Sequence, residues 1–175
     1  MAQHAANQAF DQAVRANLAR LIGLARAMMG SGRAYDAKQP EDLVQDALLN
    51  LYRRRELYDW SDGGWALMAR AVARNVVSCR RRRTGRTLEA DEADQDIVAE
   101  SLDPGSKMEL AETTEVMRAR IEALPENWRA ALVLREQQEM AYKDIATTLA
   151  ATEAQVKTWL HRARARLLEQ CEDLL

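Results

Sequence analysis

Six side chains in the stretch TEAQVKTWLHRARARLLEQ (Thr152 to Gln170) can do the chemistry that base edges and phosphates require. They are Gln155, Lys157, Thr158, His161, Arg162 and Arg164. Arginine can grip guanine through two parallel hydrogen bonds, glutamine can pair with adenine, and threonine can hydrogen-bond or touch a thymine methyl. Lysine and arginine on the shoulders of such a surface neutralise phosphates and set its register. These chemistries matter only if the side chains share a face. At 100° per residue, Val156, Leu160, Ala163 and Leu167 fall within about 60° of one another and form the buried stripe of an amphipathic helix. Thr158 and Arg162 point away from that stripe, His161 and Gln155 flank the outer face, and Lys157 and Arg164 share a shoulder. Trp159 lies at the edge of the stripe and reads as core rather than as a base-stacking group.

The elements that must hold this face are legible just upstream. Tyr142-Lys143-Asp144-Ile145-Ala146 with Leu149, a short turn, and then Val156 and Leu160 give the apolar pattern of a helix-turn-helix. In that motif the outer face of the second helix enters the major groove, N-terminal residues nearest the bases. Thr152 is the expected N-cap, and Gln155 completes a capping box with it. The turn itself, LAAT (Leu149 to Thr152), lacks glycine, so a left-handed residue there would cost about 1–2 kcal/mol.

A cationic face is unexpected in this chain, whose 175 residues carry a formal net charge of -2. The charge is segregated. Residues 1–86 hold 15 Lys/Arg against 8 Asp/Glu, residues 87–115 hold one lysine against ten acids, and residues 116–175 hold nine of each sign. Screening confines the reach of a charge to about 8–10 Å at ordinary salt, so these local balances count for more than the total. Four adjacent arginines, Arg80 to Arg83, on an acidic protein point to a nucleic-acid partner.

Alanine, leucine and arginine dominate while glycine (7) and proline (3) are scarce, the profile of an all-α protein. No apolar run is long enough to span a bilayer, so no membrane association is expected. The N-terminus lacks the basic start and apolar core of a secretory signal, which points to a cytoplasmic protein. Cys79 and Cys171 have no ligand-spaced neighbours, so neither a metal site nor a disulfide is expected. His4 and His161 are the only histidines. No nucleophile–base pair and no phosphate-binding glycine loop is visible, so neither an enzyme nor a bound cofactor is expected.

Along the chain, Phe10, Val14, Leu18, Leu21, Ile22, Ala25 and Met28/Met29 recur at helical spacing until GSGR (Gly30 to Arg33). A second helix starts at PEDLVQDALLNLYRRR, with Pro40 in its first turn and Glu41 and Asp42 at its positive end. YDWSDGG (Tyr58 to Gly64) is a loop, and WALMARAVARNVVSCRRRR (Trp65 to Arg83) a third helix. Periodicity fades from Thr84 to about Lys107, where TLEADEADQDIVAESLDPGS reads as a flexible tether. Helices over Glu109 to Ala123, Glu126 to Gln138, Tyr142 to Leu149 and from Thr152 onward follow. The expected architecture is two small helical bundles, 1–86 and 109–175, joined by an acidic linker, 87–108.

LPENWRAALVLREQQEMAYKDIATTLAATEAQVKTWLHRARARL (Leu124 to Leu167) resembles the fourth conserved region of bacterial extracytoplasmic-function sigma factors. PEDLVQDALLNLYRR and WALMARAVARNVVSCRRRR resemble the second. The resemblance covers nearly everything after Phe10. The chain departs from the pattern in the glycine-free LAAT turn, in Trp159, in the long GSGRAYDAKQ connection and in YDWSDGG.

The resemblance implies a promoter-recognition subunit of RNA polymerase, with core polymerase and promoter DNA as partners and an anti-sigma protein as a common further one. It implies that Gln155, Lys157, Thr158, His161, Arg162 and Arg164 meet the minus-thirty-five element, and that the polymerase flap is a further point of contact. Asp42, Leu43, Val44, Gln45, Asp46 and Leu48 would dock on the coiled coil of the polymerase's largest subunit, the leucines as an apolar patch and the carboxylates facing a basic partner. Trp60, Arg70, Arg74, Asn75, Arg80, Arg81, Arg82 and Arg83 would meet the minus-ten element. Trp60 would stack an extruded base, the glycine pair would let the backbone come close to it, Asn75 would hydrogen-bond a base edge, and the arginines would track phosphates. The acidic linker would run through the polymerase's template channel and could mimic DNA in the free protein. Two other readings compete: a stand-alone helix-turn-helix regulator, and a decoy that titrates an anti-sigma protein.

Overall fold

The computed structural model describes residues 2–30, 38–84 and 110–172. The acidic tether, 87–108, lies outside the described residues. The chain divides into two compact units, Met1–Gly85 and Arg86–Leu175. Among the described residues there are seven α-helices and one short 3-10 turn, and no helix is long and apolar enough to cross a membrane.

The N-terminal unit packs α1 (Ala2–Met29), α2 (Pro40–Tyr52) and α3 (Trp65–Thr84) against one another in all three pairings. Its core is built from Leu21, Leu24 and Met28 of α1, Leu43 and Val44 of α2, and Met68, Val72 and Val76 of α3, all essentially without exposure. Helix α1 begins well before the first apolar contact at Phe10, because AQHAANQA is made mostly of strong helix formers. Helix α2 starts as expected, with Pro40 in its first turn and the Asp42 carboxylate accepting the Gln39 backbone N–H at 2.8 Å.

Helix α2 ends at Tyr52, before the arginine run that the sequence assigns to it, and a 3-10 turn over Arg55–Leu57 follows. The indole N–H of Trp60 donates to the Arg55 carbonyl at 2.8 Å, and the Arg55 guanidinium reaches back to the Tyr52 carbonyl at 2.8 Å. These bonds fold the chain back on itself. The loop is closed on its far side by Asn17, whose amide donates to the Gly63 carbonyl at 3.1 Å. Gly64 sits at φ +63°, and a Cβ there would lie 2.6 Å from the Trp60 ring, so only glycine fits.

In the C-terminal unit, α4 (Leu110–Ala123) packs on α7 (Glu153–Glu172), while α5 (Glu126–Glu136), α6 (Tyr142–Leu149) and α7 enclose a core of Leu134, Ile145, Leu149, Val156, Leu160 and Ala163. Buried Arg129 donates to the carbonyls of Glu122 (2.7 Å) and Leu124 (3.0 Å), tying the end of α4 to the start of α5. Helix α5 stops at Glu136 rather than Gln138. Glu139 takes φ +51°, and Arg135 donates to the Met140 carbonyl at 2.8 Å, so the chain turns early.

The corner between α6 and α7 has the geometry the sequence pattern calls for. Ala150 adopts the left-handed conformation (φ 51°, ψ 51°), and the Ala151 N–H reaches the Ala146 carbonyl at 2.9 Å. An L-residue there bears strain of about 1–2 kcal/mol, of which a glycine would return part as lost chain entropy. Ala150→Gly is therefore expected to stabilise the unit by about 0.5–1 kcal/mol, read as a higher urea midpoint with an unchanged denaturant slope. A lower midpoint would show that the turn carries no such strain.

Candidate nucleic-acid and polymerase interfaces

On α7 the buried stripe is Val156, Leu160 and Ala163, joined by Trp159, which is 2% exposed and belongs to the core. Lys157, Thr158, His161, Arg162 and Arg164 are exposed, and Gln155 is half-buried. Local bonding divides them into groups held in reserve and groups available to a ligand. The Gln155 side-chain oxygen accepts the Thr152 backbone N–H at 2.8 Å, and the Thr152 hydroxyl in turn accepts the Gln155 backbone N–H at 3.2 Å. The capping box thus occupies the oxygen that a two-point contact with adenine needs, leaving the amide NH2 as the group to offer a base. The Thr158 hydroxyl donates to the Ala154 carbonyl at 3.0 Å, so its methyl and its oxygen lone pairs face outward.

The two flanking arginines are held differently. Arg164 donates to the Glu136 carboxylate at 2.6 Å, and that hydrogen bond holds its guanidinium above the usual arginine range. A phosphate would have to compete with Glu136 for Arg164. Arg162 instead lies over the Trp128 ring, 5.8 Å from its centroid.

In the N-terminal unit the arginine-bearing face of α3 is not one surface. A polar groove of about 450 Å3 runs between the C-terminal half of α2 and α3, and Arg74 and Asn75 line it. Asn50, Arg53, Arg54 and Tyr58 supply the rest of its charged and aromatic wall, over an apolar floor that includes Ala47, Leu51 and Ala71. The Asn75 amide nitrogen donates to the Leu43 carbonyl at 2.7 Å, which fixes the side chain's orientation against α2. Of the other basic residues named from sequence, Arg82 is exposed, Arg70 and Arg81 are half-buried, and Arg80 is buried at 6% exposure. Arg80 is thus part of the packing and not a solvent-facing phosphate contact. The Arg83 side chain lies outside the described residues.

Trp60 requires a correction. It is 8% exposed, its indole N–H is spent on Arg55, and its ring meets Phe10 edge-on with centroids 5.1 Å apart. No face is left for a base. The aromatic group at the polar groove is Tyr58, which packs edge-on against Trp60 at 6.0 Å. Asn50, Arg53, Arg54 and Tyr58 are not among the residues the sequence pattern singles out. The run Arg53 to Arg55 signals cations, but a helix continued through it gives no sign of where they turn.

The α2 patch also resolves into two parts. Leu43 and Val44 are core, at 0% and 1% exposure, so Leu43 offers no external apolar surface and Val44 contributes only to the floor of the groove between α1 and α2. Asp42 caps its own helix, and Asp46 pairs with Lys38 at 2.8 Å, the pair raising the lysine's pKa. The outward face between α1 and α2 is an almost wholly apolar groove of about 550 Å3. Gln45 and Leu48 line it with Leu18, Leu49, Tyr52 and, at its rim, Glu41. Leu18, Leu49 and Tyr52 are 42%, 48% and 40% exposed, large for apolar side chains on a folded unit.

Residues 13–87 match the family model for sigma-70 region 2, and residues 114–167 match that for sigma-70 region 4. The ECF RNA polymerase sigma factor SigE of Mycolicibacterium smegmatis is 29% identical over 93% of this chain, which spans 62% of that relative's length. The RNA polymerase sigma-H factor of Pseudomonas aeruginosa is 26% identical, with 99% of this chain and 91% of the relative aligned. The ECF RNA polymerase sigma-E factor of Escherichia coli K12 is 26% identical over 77% of this chain and 74% of its own. With both conserved regions present, in order, on the two helical units, the chain belongs to the extracytoplasmic-function group of RNA polymerase sigma factors.

Proposed function

We propose that the chain brings core RNA polymerase to its promoters by dividing three tasks among three surfaces. The outer face of α7 reads the minus-thirty-five element. Arg162, Thr158 and His161 point to the bases, Lys157 to a flanking phosphate, and Gln155 contributes through its amide NH2. The polar groove between α2 and α3 takes the unpaired minus-ten strand. Arg53, Arg54 and Arg74 follow its phosphates, while Tyr58 and Asn75 meet a base that has left the stack. The apolar groove between α1 and α2 seats a helix of the polymerase's largest subunit. Leu48, Leu49 and Tyr52 cover its apolar side chains, and Glu41, which accepts from Arg26 at 3.2 Å in the free chain, exchanges that partner for a basic group of the polymerase. An anti-sigma protein, if the cell makes one, acts by covering one of these surfaces. The chain's place of work is then the cytoplasm.

The observation that carries this reading is the pair of grooves on one small unit, one cationic and one apolar. A stand-alone helix-turn-helix regulator uses neither, and a decoy has no use for the cationic one. Run-off transcription with core polymerase and a pool of promoter fragments tests it. Discrete transcripts that depend on the added chain are expected. A chain that forms no complex with polymerase, or forms one that starts nowhere, would overturn the proposal.

A further inference from the structure

Three arginines, at positions 162, 164 and 166, follow one another along α7. Two are paired with carboxylates: Arg164 with Glu136 at 2.6 Å and Arg166 with Glu169 at 3.6 Å. Arg162 makes no ion pair among the described residues. Its guanidinium carbon lies 5.8 Å from the centroid of the Trp128 ring, within reach of a cation–π attraction. The difference is functional in kind. A carboxylate neutralises an arginine and uses its N–H groups. An aromatic face attracts the cation and leaves both its charge and its N–H edge unspent.

The ring is itself firmly placed. Trp128 sits in the first turn of α5, between Asn127 and Arg129, both buried. Arg129 binds two carbonyls of the preceding turn and so fixes where α5 begins. A half-buried ring on this anchored turn is a platform beside the exposed face of α7. Arginine's long side chain is rich in rotamers, and a two-point contact to guanine tolerates few of them. A platform that limits the choice before DNA arrives lowers the ordering cost of the contact.

We propose that Trp128 is a positioning residue for base reading: it holds the Arg162 guanidinium in the orientation that discriminates one base of the upstream promoter element. The proposal rests on the assignment of Arg162 to a base edge. Trp128 itself need touch no DNA.

The test measures affinities of the polymerase complex containing the full chain for promoter fragments varied one base at a time. The variants are Trp128→Ala, Trp128→Phe, Arg162→Ala and the Trp128→Ala/Arg162→Ala double. A cation–π contact of this exposure corresponds to about two- to fivefold in affinity. Trp128→Ala is expected to lower the preference for the best base over the others by that factor at the one position Arg162 reads, and at no other. Trp128→Phe, which keeps an aromatic face and fills most of the volume, recovers most of the preference. In the Arg162→Ala background, Trp128→Ala changes the preference no further.

Equal weakening by Trp128→Ala on every fragment, or a loss of preference that persists undiminished without Arg162, makes Trp128 a packing residue and overturns the proposal alone. No change of preference in Arg162→Ala overturns the base-reading assignment beneath it. Thermal melts of the variants accompany the binding data. Should the alanine variant melt early, the phenylalanine variant decides, since loss of preference in a stably folded Trp128→Phe also counts against a ring platform.

Discussion

Trp60→Ala is expected to destabilise the N-terminal unit by about 3–5 kcal/mol, the usual cost of removing a large buried aromatic. Trp60 joins three parts of the unit. Its ring packs edge-on against Phe10 of α1 and against Tyr58. Its N–H holds the carbonyl of Arg55, the first residue of the 3-10 turn. Gly64 lies so close to the ring that no other residue fits there. Removing the indole therefore leaves a cavity, an Arg55 carbonyl held only by the long bond from the Tyr58 N–H at 3.4 Å, and a loosened start to α3. Differential scanning calorimetry of the chain should show the unit containing α1 to α3 melting at a much lower temperature, with α4 to α7 little affected. A Trp60→Ala chain with unchanged melting but defective promoter opening would restore Trp60 to the DNA surface. Trp60→Phe should lose less, since it keeps the ring contact and forfeits only the hydrogen bond and part of the volume.

The second large effect is electrostatic. Replacing Arg53, Arg54 and Arg74 together with glutamine removes the cations of the polar groove while keeping side chains of useful length. All three are exposed, so folding should be little altered. For single-stranded DNA each neutralised phosphate contributes about 0.7 to the slope of log affinity against log salt. The triple variant, assembled with polymerase, should then bind a minus-ten strand with a slope shallower by about 2. Affinity falls most at low salt and converges with that of the unchanged chain as salt rises, because counterion release is the quantity lost. An unchanged slope would place the strand elsewhere. Retained binding to double-stranded upstream DNA would show that the defect is confined to the groove.

Much of the architecture was legible from local pattern. Helix α6 is bounded at Tyr142 and Leu149, and α2, α3 and α7 start within a residue of where the sequence puts them, because apolar periodicity, Pro40 and the Thr152–Gln155 box are short-range signals. The glycine-free corner points to a locally different turn, yet Ala150 takes the left-handed conformation that glycine usually supplies. The end of α2 was not legible. Nothing in YRRRELYDW announces that an indole eight residues past Tyr52 will reach back to a carbonyl and stop the helix. Phe10, from a different helix, supplies one wall of the site in which Trp60 makes that bond.

By itself, then, the sequence determined which segments are helical, where the helix-turn-helix lies, and that its second helix carries cations opposite an apolar stripe. Those follow from the 3.6-residue period and from caps that act over three or four residues. The tertiary structure alone decided which chemically suitable side chains are available to a ligand. It buried Trp60, Leu43, Val44 and Arg80, spent Gln155's oxygen and Arg164's charge internally, and brought Tyr58, Asn50 and Arg53 to one groove. The physical reason is that a residue's type fixes what it can bind, whereas its exposure and its existing partners depend on neighbours that the fold draws from distant parts of the chain.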